Sequence, residues 1–543
     1  MTATLSPAHA RSLPRAGGRS LAGTGAMVRL ALRRDRLKLP IWVLVIVALV
    51  PRFYYAATSA VVPTPQALAD ATRLIRASFM RVLAGPFFGA EAVTTQKYFL
   101  AAYWVEFLLA AALMNIMLIT RHTRAEEQSG RAELVRAAVV GRHAQLTAAL
   151  VVAGAGNAVL ALLAAGAAAG IGFAAGGALL FGASLAAAGM VFAAVTAVTA
   201  QLTEHPRGAT RLAGAVLFVA WLLRGAGSLQ AEQGGPLFWL SPIGWSQQTR
   251  VLAGDRWWPL GLSVLLAALL VAGAYALASR RDLGAALVAA RPGRAGAPGW
   301  LRSPFALALR LRRAAVVSWA AAFLAVGLVL GGMTGGMSVT DLPIFAGADF
   351  GRAWLGLMVF TGSLYTGVHA VLSVLRLRAE EVRGLAGPLL AGPTSRVAWL
   401  GSSLLVSALA VVALLMVYGA GLGVGAALST GDGGLVAEVV WASLRRVPEV
   451  LVLLAVPAAL LGPAPRAAGG AAWGVLVFSG FVAVLGAYLR VPEWVVNASV
   501  LSHLPWHPLG AAAPVATAVL LGLAATLTAL GLYGVRRRDL STG

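Results

Sequence analysis

The chain has 543 residues, of which 59% are hydrophobic and only 12% are charged. A soluble domain carries about 25% charged residues, so this composition excludes an ordinary soluble protein and indicates a membrane protein. The net charge of +23 comes from arginines placed beside apolar segments, a pattern typical of membrane topology signals and not of nucleic-acid binding. The absence of cysteine excludes disulfides and thiolate metal sites.

Apolar runs long enough to cross a bilayer as helices recur along the whole chain, so we predict an all-α polytopic membrane protein. A flexible cytoplasmic tail is expected over residues 1–25 and twelve spans after it. The spans are 39–58, 98–119, 146–169, 179–201, 212–229, 259–278, 315–334, 353–375, 398–427, 447–461, 468–489 and 514–534.

The tenth span is the least secure, because Arg445 and Arg446 leave only a short apolar run after them. Its counterpart in the fourth span, aligned through the Ala-Ser-Leu sequences at 183–185 and 442–444, is comfortably long. We keep it as a span preceded by an interfacial segment.

Internal sequence similarity divides the twelve predicted spans into two sets of six. Segment 123–142 matches 377–396, segment 31–42 matches 308–319, and the sequence Arg-Arg-Asp-Leu at 280–283 recurs at 537–540. We therefore predict a first half over 26–279, a basic cytoplasmic linker over 280–313 and a second half over 314–543. Because each half has an even number of spans, both insert in the same direction, as parallel repeats.

Orientation follows from the 43 basic residues, most of which lie on one side when both termini are placed in the cytoplasm. The chain is therefore expected in the inner (plasma) membrane with both termini cytoplasmic.

The loop between spans 2 and 3 carries the strongest motif, with interleaved acids and bases from Arg124 to Arg136. This pattern predicts a short amphipathic helix with a Glu127–Arg131 pair one turn apart. The alternative is a solvated loop whose charges only fix topology. A topology signal needs only arginine, however, and the Glu-Glu pair recurs as Glu380-Glu381.

This loop, RxxEExxGRxEL followed by GR, resembles the coupling segment of type-2 permeases of the ATP-binding-cassette (ABC) transporters. The duplicated twelve-span form and the outer segment 238–260 are similar to exporters of polyketide or polyether antibiotics of the tetronasin type. The resemblance implies that the first cytoplasmic loop of each half contacts one ATPase subunit. The residues concerned are Arg124, Glu126, Glu127, Gly130, Arg131 and Glu133 in the first half, and Arg378, Glu380, Glu381 and Gly384 in the second.

In the second half Leu385 and Gly387 replace the Arg and Glu of the motif, which implies unequal docking or one weaker contact.

The chain has no nucleotide site of its own. A P-loop needs a lysine followed by Ser or Thr, whereas Lys38 and Lys97, the only lysines, precede Leu39 and Tyr98. We therefore expect no catalytic residue and no bound cofactor in this chain. ATP and Mg would be used by a partner ABC ATPase subunit in two copies. The other expected partners are the lipid bilayer and a small amphipathic substrate, without nucleic acid.

Polar residues inside the spans indicate a substrate path, because a charge there costs about 2.5–3.5 kcal/mol on insertion scales. Glu106 and Asn115 lie in span 2, and the loop alignment places Phe360 opposite Glu106 and His369 opposite Asn115. Glu106 would select a cationic group or pair with an arginine near a span end. For Asn115 and His369 a structural helix–helix hydrogen bond is an equal alternative.

On the outer side, residues 66–84 predict an amphipathic interfacial helix that rests on the leaflet or covers the exit. His503 and His507 have helical spacing, but Pro505 and Pro508 break the helix that would make them a metal pair, so we predict no metal site.

The favoured function is the permease subunit of an ATP-driven ABC exporter that moves amphipathic drugs, antibiotics or lipid-like molecules outward by alternating access. The alternative is a proton-coupled secondary multidrug transporter, a class also built from two six-span halves. A membrane-embedded enzyme is disfavoured, because the sequence shows no clustered outward carboxylates, metal set or nucleophile–base pair.

Overall fold

The computed structural model describes residues 20–56, 58, 62–76, 78–131, 133, 140–282, 284–287, 296–336, 350–485, 491–505, 509 and 511–538. Every regular element in these ranges is a helix, which confirms the all-α prediction. The chain divides into two compact units, Met1–Gly293 and Arg294–Gly543, and the boundary falls inside the segment predicted as a linker.

The helices of the first unit are α1 (Thr24–Asp35), α2 (Lys38–Ala56), α3 (Pro65–Arg76), α4 (Ser78–Ala84), α5 (Thr95–His122), α6 (Arg124–Gln128), α7 (Ala144–Gly170), α8 (Ala175–Leu202), α9 (Pro206–Gln230), α10 (Pro236–Trp239), α11 (Pro242–Gln247) and α12 (Trp258–Ser279).

The helices of the second unit are α13 (Pro304–Gly332), α14 (Phe350–Val382), α15 (Gly387–Leu390), α16 (Arg396–Thr430), α17 (Gly434–Arg445), α18 (Val447–Leu460), α19 (Ala468–Leu485), α20 (Glu493–Ala498) and α21 (Pro514–Arg537). Short 3-10 turns cover Thr334–Gly336 and Val500–Ser502.

Ten of the described helices are long and apolar enough to cross a membrane, and they correspond to all the predicted spans except the tenth and eleventh. Large apolar side chains such as Leu162, Leu269 and Val515 are exposed on their outward faces. Such faces are expected where a helix meets lipid tails instead of water.

The predicted tenth span over 447–461 corresponds to α18, and the segment expected before it forms a helix of its own, α17. The two helices are broken at Arg446 and together cover 434–460. Pro448 explains the break, because it has no backbone N–H and its ring would clash with the carbonyl of Leu444 in a continuous helix. The eleventh predicted span corresponds to α19, and residues 486–490 at its end lie outside the described residues.

Part of the predicted flexible tail is ordered. The N–H of Gly141 donates to the carbonyl of Ala22 at 2.8 Å, and the N–H of His143 donates to that of Ser20 at 3.0 Å. These bonds hold the chain before α1 against the loop that precedes α7. Residues 1–19 lie outside the described residues.

Glycines bring neighbouring helices close together in both units. A Cβ atom added at Gly182 of α8 would lie 2.1 Å from the carbonyl oxygen of Ala161 in α7, and one added at Gly331 of α13 would lie 1.9 Å from that of Leu422 in α16. Only glycine permits such an approach.

Candidate functional site

We call the loop that follows α5 the first loop (residues 123–143). One residue separates α5 from helix α6, and the chain turns at Gly130, whose φ is +72°. The predicted helix from Arg124 to Arg136 is therefore interrupted at Gly130, after which Arg131 and Glu133 are again helical. Arg131 and Glu133 lie just past this turn, and residues 132 and 134–139 lie outside the described residues.

Arg124 is completely buried beneath the first loop. Its guanidinium donates to the carbonyl of Ala200 near the end of α8, to the carbonyl of Ala285 at 3.0 Å, and to Oε2 of Glu127 at 2.8 Å. The last carbonyls of a helix have no partner within the helix, so an arginine is well suited to satisfy them. Arg124 thus joins the first loop to α8 and to the chain after α12.

Glu127 is the second fixed point of this loop. Arg281, just after α12, donates from Nη1 to Oε2 and from Nη2 to Oε1 of Glu127, both at 2.8 Å. Such two-pronged arginine–carboxylate pairs are among the stronger hydrogen bonds in proteins. The Glu127 side chain is only 6% exposed, whereas Arg131 is exposed. The predicted Glu127–Arg131 pair is therefore replaced by the pairs with Arg281 and Arg124.

Helix α1 is attached to the same loop and to the end of α5 by three further ion pairs. Arg34 pairs with Glu126, and the buried Asp35 pairs with both Arg121 and His122 at the end of α5. Burial by itself would raise the pKa of Asp35. The hydrogen bond with His122 and the charges of His122, Arg121 and Lys38 outweigh burial and lower this pKa below its ordinary value.

The second loop (residues 377–396), which begins within the last turns of α14, has a related arrangement. Glu381 is buried and pairs with Arg538 after α21, and Glu380 accepts a hydrogen bond from Arg376 at 2.9 Å. Arg378 donates to the carbonyl of Arg466 at 3.3 Å. Gly384, with φ of +71°, turns this loop as Gly130 turns the first.

The recurring sequence motifs therefore meet in space within each unit. We call the Glu127–Arg281 and Glu381–Arg538 pairs the loop latches. In the first unit Arg142 also donates to the carbonyl of Arg281 at 3.2 Å, and in the second unit Arg396 donates to the carbonyl of Arg538. Sequence reasoning found each repeated motif but missed that the Arg-Arg-Asp-Leu arginine is the partner of the second glutamate.

The predicted substrate-path residues have three different surroundings. Glu106 of α5 is exposed. Asn115 is fully buried and exchanges two hydrogen bonds with Asn157 of α7, at 3.0 and 2.8 Å. His369 of α14 is nearly buried, with its ring 5.6 Å from that of Trp319. For Asn115 this geometry supports the helix–helix hydrogen bond, and sequence reasoning missed its partner Asn157.

Both units of the chain match known proteins. A family model described as the C-terminal domain of the multidrug efflux system permease Rv1217c matches residues 25–277 and 301–536, one segment in each unit. The chain belongs to this family of multidrug efflux permeases. The multidrug efflux system permease protein Rv1217c of Mycobacterium tuberculosis (strain ATCC 25618 / H37Rv) is 38% identical to it over 540 residues. That alignment covers 96% of each chain.

The two units of the permease differ where α1 and α13 correspond. Asp35 of α1 aligns with Arg312 of α13, so a base stands where the first unit has an acid. Arg312 is buried and donates to the carbonyl of Ser403 and to the hydroxyl of Ser407, both at 2.7 Å. A buried base in the second unit therefore occupies the position of a buried acid in the first.

The segment 66–84, predicted as an amphipathic helix, is helical over its described residues, as α3 and α4. Residue 77 between them lies outside the described residues. In the second unit Nε2 of His503 lies 3.1 Å from the carbonyl oxygen of Asn497, and His507 lies outside the described residues. Within the described part of the chain, no His, Asp and Glu side chains form a group that could hold a metal ion.

Proposed function

We propose that the permease is the membrane subunit of an ATP-driven ABC exporter whose ATP hydrolysis resides in a separate ATPase chain. It would move small amphipathic drugs, antibiotics or lipid-like molecules outward by alternating access. The family supports an efflux role, since its matched relative is named a multidrug efflux system permease. The assignment of ATP as the energy source rests on the resemblance of the two loops to coupling segments.

The observation that carries this proposal is the duplicated loop latch. A loop that transmits force from a partner needs an exposed surface for contact and a rigid attachment to the helices that must move. Arg124 and Glu127 supply the attachment, because they bind α8 and the chain after α12 through charge-assisted hydrogen bonds. A loop that only fixed topology would need no such attachment.

The contact surface is then the exposed tip of each loop and not the buried latch residues. In the first loop the exposed tip residues are Gln128, Ser129, Arg131 and Glu133; in the second they are Val382, Arg383, Gly384 and Leu385. Among the residues that the structure describes, the first tip offers two opposite charges, whereas the second has one base and apolar neighbours. This difference supports two ATPase copies bound with unequal strength, the first tip making the more polar contact.

The test uses the permease co-purified with a P-loop ATPase encoded in a neighbouring reading frame. We expect the tip variant R131A/E133A to lower the amount of co-purified ATPase and the ATP-dependent export of ethidium from vesicles by about tenfold, since few contacts dominate an interface. Its thermal unfolding should match that of the parent. The latch variant E127Q should instead lower the unfolding temperature, because it leaves Arg124 and Arg281 facing a neutral amide.

Two outcomes would contradict the proposal. Full ATPase association after substitution of both tips would remove the coupling role of the loops. Ethidium export driven by a pH gradient, without ATP or ATPase, would favour the proton-coupled alternative.

A further inference from the structure

A buried ion pair lies at the break between α17 and α18. Arg446 is 2% exposed and Glu449 is completely buried, with Nε of Arg446 at 2.8 Å from Oε1 of Glu449. Nη1 of Arg446 donates to the carbonyl of Leu504 at 2.7 Å, and the guanidinium lies 5.3 Å above the ring of Phe360. The fixed guanidinium is therefore held on three sides by its own unit.

The fourth side of this guanidinium is unsatisfied. Nη2 of Arg446 is buried and has no hydrogen-bond partner among the described residues. Arg446 lines a cavity of about 250 Å³ together with Arg445, Leu504, Pro505 and Thr517. A buried donor without a partner costs free energy, and a ligand acceptor in the cavity would recover it. The single acid, Glu449, balances one of the two arginines, so the cavity is positive.

The first unit shows that helix packing alone does not require these charges. In the alignment of the two Ala-Ser-Leu sequences, Arg446 corresponds to Ala187 and Glu449 to Met190. Both lie in α8, which is continuous over Ala175–Leu202. Replacing a buried ion pair with apolar residues is often neutral or stabilising. The first unit has that apolar form, so the charges of the second unit call for a role other than stability.

We propose that this cavity binds the anionic group of an amphipathic ligand, a carboxylate or phosphate, through Arg446 and Arg445. Glu449 holds the Arg446 guanidinium in place, and the apolar wall formed by Leu504, Pro505 and neighbouring alanines accepts the start of the ligand's hydrocarbon part. That the ligand is a transported substrate rests on the proposed function, whereas the binding itself does not.

The experiment measures equilibrium binding of dansylaminoundecanoate and its methyl ester to the full chain in phosphatidylcholine nanodiscs. The parent should bind the acid at least about tenfold more tightly than the ester, the scale of a charge-assisted hydrogen bond. The double variant R446Q/E449Q removes both charges together, so no unpaired charge is left buried. It should lose about tenfold in affinity for the acid and keep its affinity for the ester.

The matched control is R224Q in the first unit. Arg224 is also completely buried, but it donates to the carbonyls of Val82 and Leu83 at 2.6 and 2.7 Å. R224Q should leave the preference for the acid unchanged. Nanodiscs that contain phosphatidylglycerol distinguish the source of the anion, since displacement of the acid by this lipid would assign the site to a lipid phosphate and its persistence to a free carboxylate.

Equal binding of acid and ester by the parent would overturn the proposal, as would an acid preference that survives in a folded R446Q/E449Q variant. Neither measurement needs ATP or an ATPase. If ATP-driven export fails, the binding test can still be interpreted. If the binding test fails, the proposed role of the coupling loops is unaffected.

Discussion

Several arginines of this permease are structural residues in addition to topology signals. Arg124 and Arg224 are completely buried, and Arg312 is nearly so, yet each donates to backbone carbonyls. A guanidinium offers five donors in a rigid plane, so one side chain can satisfy several carbonyls that would otherwise stay unpaired. The arginine-rich composition therefore contributes to the packing of the helices.

The ion pairs of Asp35 with Arg121 and His122 give a prediction at the scale of single residues. Asp35→Asn removes a buried charge that pairs with Arg121 and His122, so it should lower the free energy of unfolding by about 2 kcal/mol. Asp70→Asn is the matched control, because Asp70 pairs with Arg73 on an exposed face and such pairs contribute about 0–1 kcal/mol. Thermal unfolding in detergent at pH 7 measures the loss of stability in both variants.

The same variant has a defined pH dependence. Because the folded-state pKa of Asp35 is lowered, its stabilisation is present above the ordinary value of 3.8 and is lost as the pH falls through the folded-state pKa. The stability difference between parent and Asp35→Asn should therefore shrink as the pH is lowered below 3.8. A difference that grows in acid would show that another group carries the effect.

At the scale of elements, hydropathy predicts where spans lie, but helix contacts decide how they pack. Gly331 of α13 faces the backbone of α16, whereas the adjacent Gly332 has its nearest neighbour, the carbonyl oxygen of Gly425, 3.9 Å from an added Cβ. Both are glycines in one apolar run, so the sequence alone does not distinguish them. The difference arises from the direction in which each Cα faces its neighbour.

This pair supplies a second prediction. Gly331→Ala would place a methyl group 1.9 Å from the carbonyl oxygen of Leu422, so it should cost about 2–3 kcal/mol or force α13 and α16 apart. Gly332→Ala should leave stability unchanged or raise it by up to about 1 kcal/mol, since alanine favours helix. Equal unfolding temperatures for the two variants would contradict the close approach of these helices.

At the scale of the whole molecule, the absence of cysteine makes orientation directly testable. Single cysteines at Gln128 and Arg383, in the tips of the two loops, should react with a membrane-impermeant maleimide only after the membrane is opened. Cysteines at Arg256 and Asp432 should react in intact cells. All four positions are exposed. Opposite labelling of Gln128 and Arg383 would contradict the parallel insertion of the two halves.

The sequence by itself determined the membrane class, ten of the span positions, the internal duplication and the two loops with their Glu-Glu pairs. These features are local or repeated, so composition, hydropathy and alignment suffice to find them. Tertiary structure decided the partners of residues that are distant in sequence: Glu127 with Arg281 and Asn115 with Asn157. Glu127 and Arg281 lie 154 positions apart, and only the folding of α5, α8 and α12 against one another brings such side chains within hydrogen-bond distance.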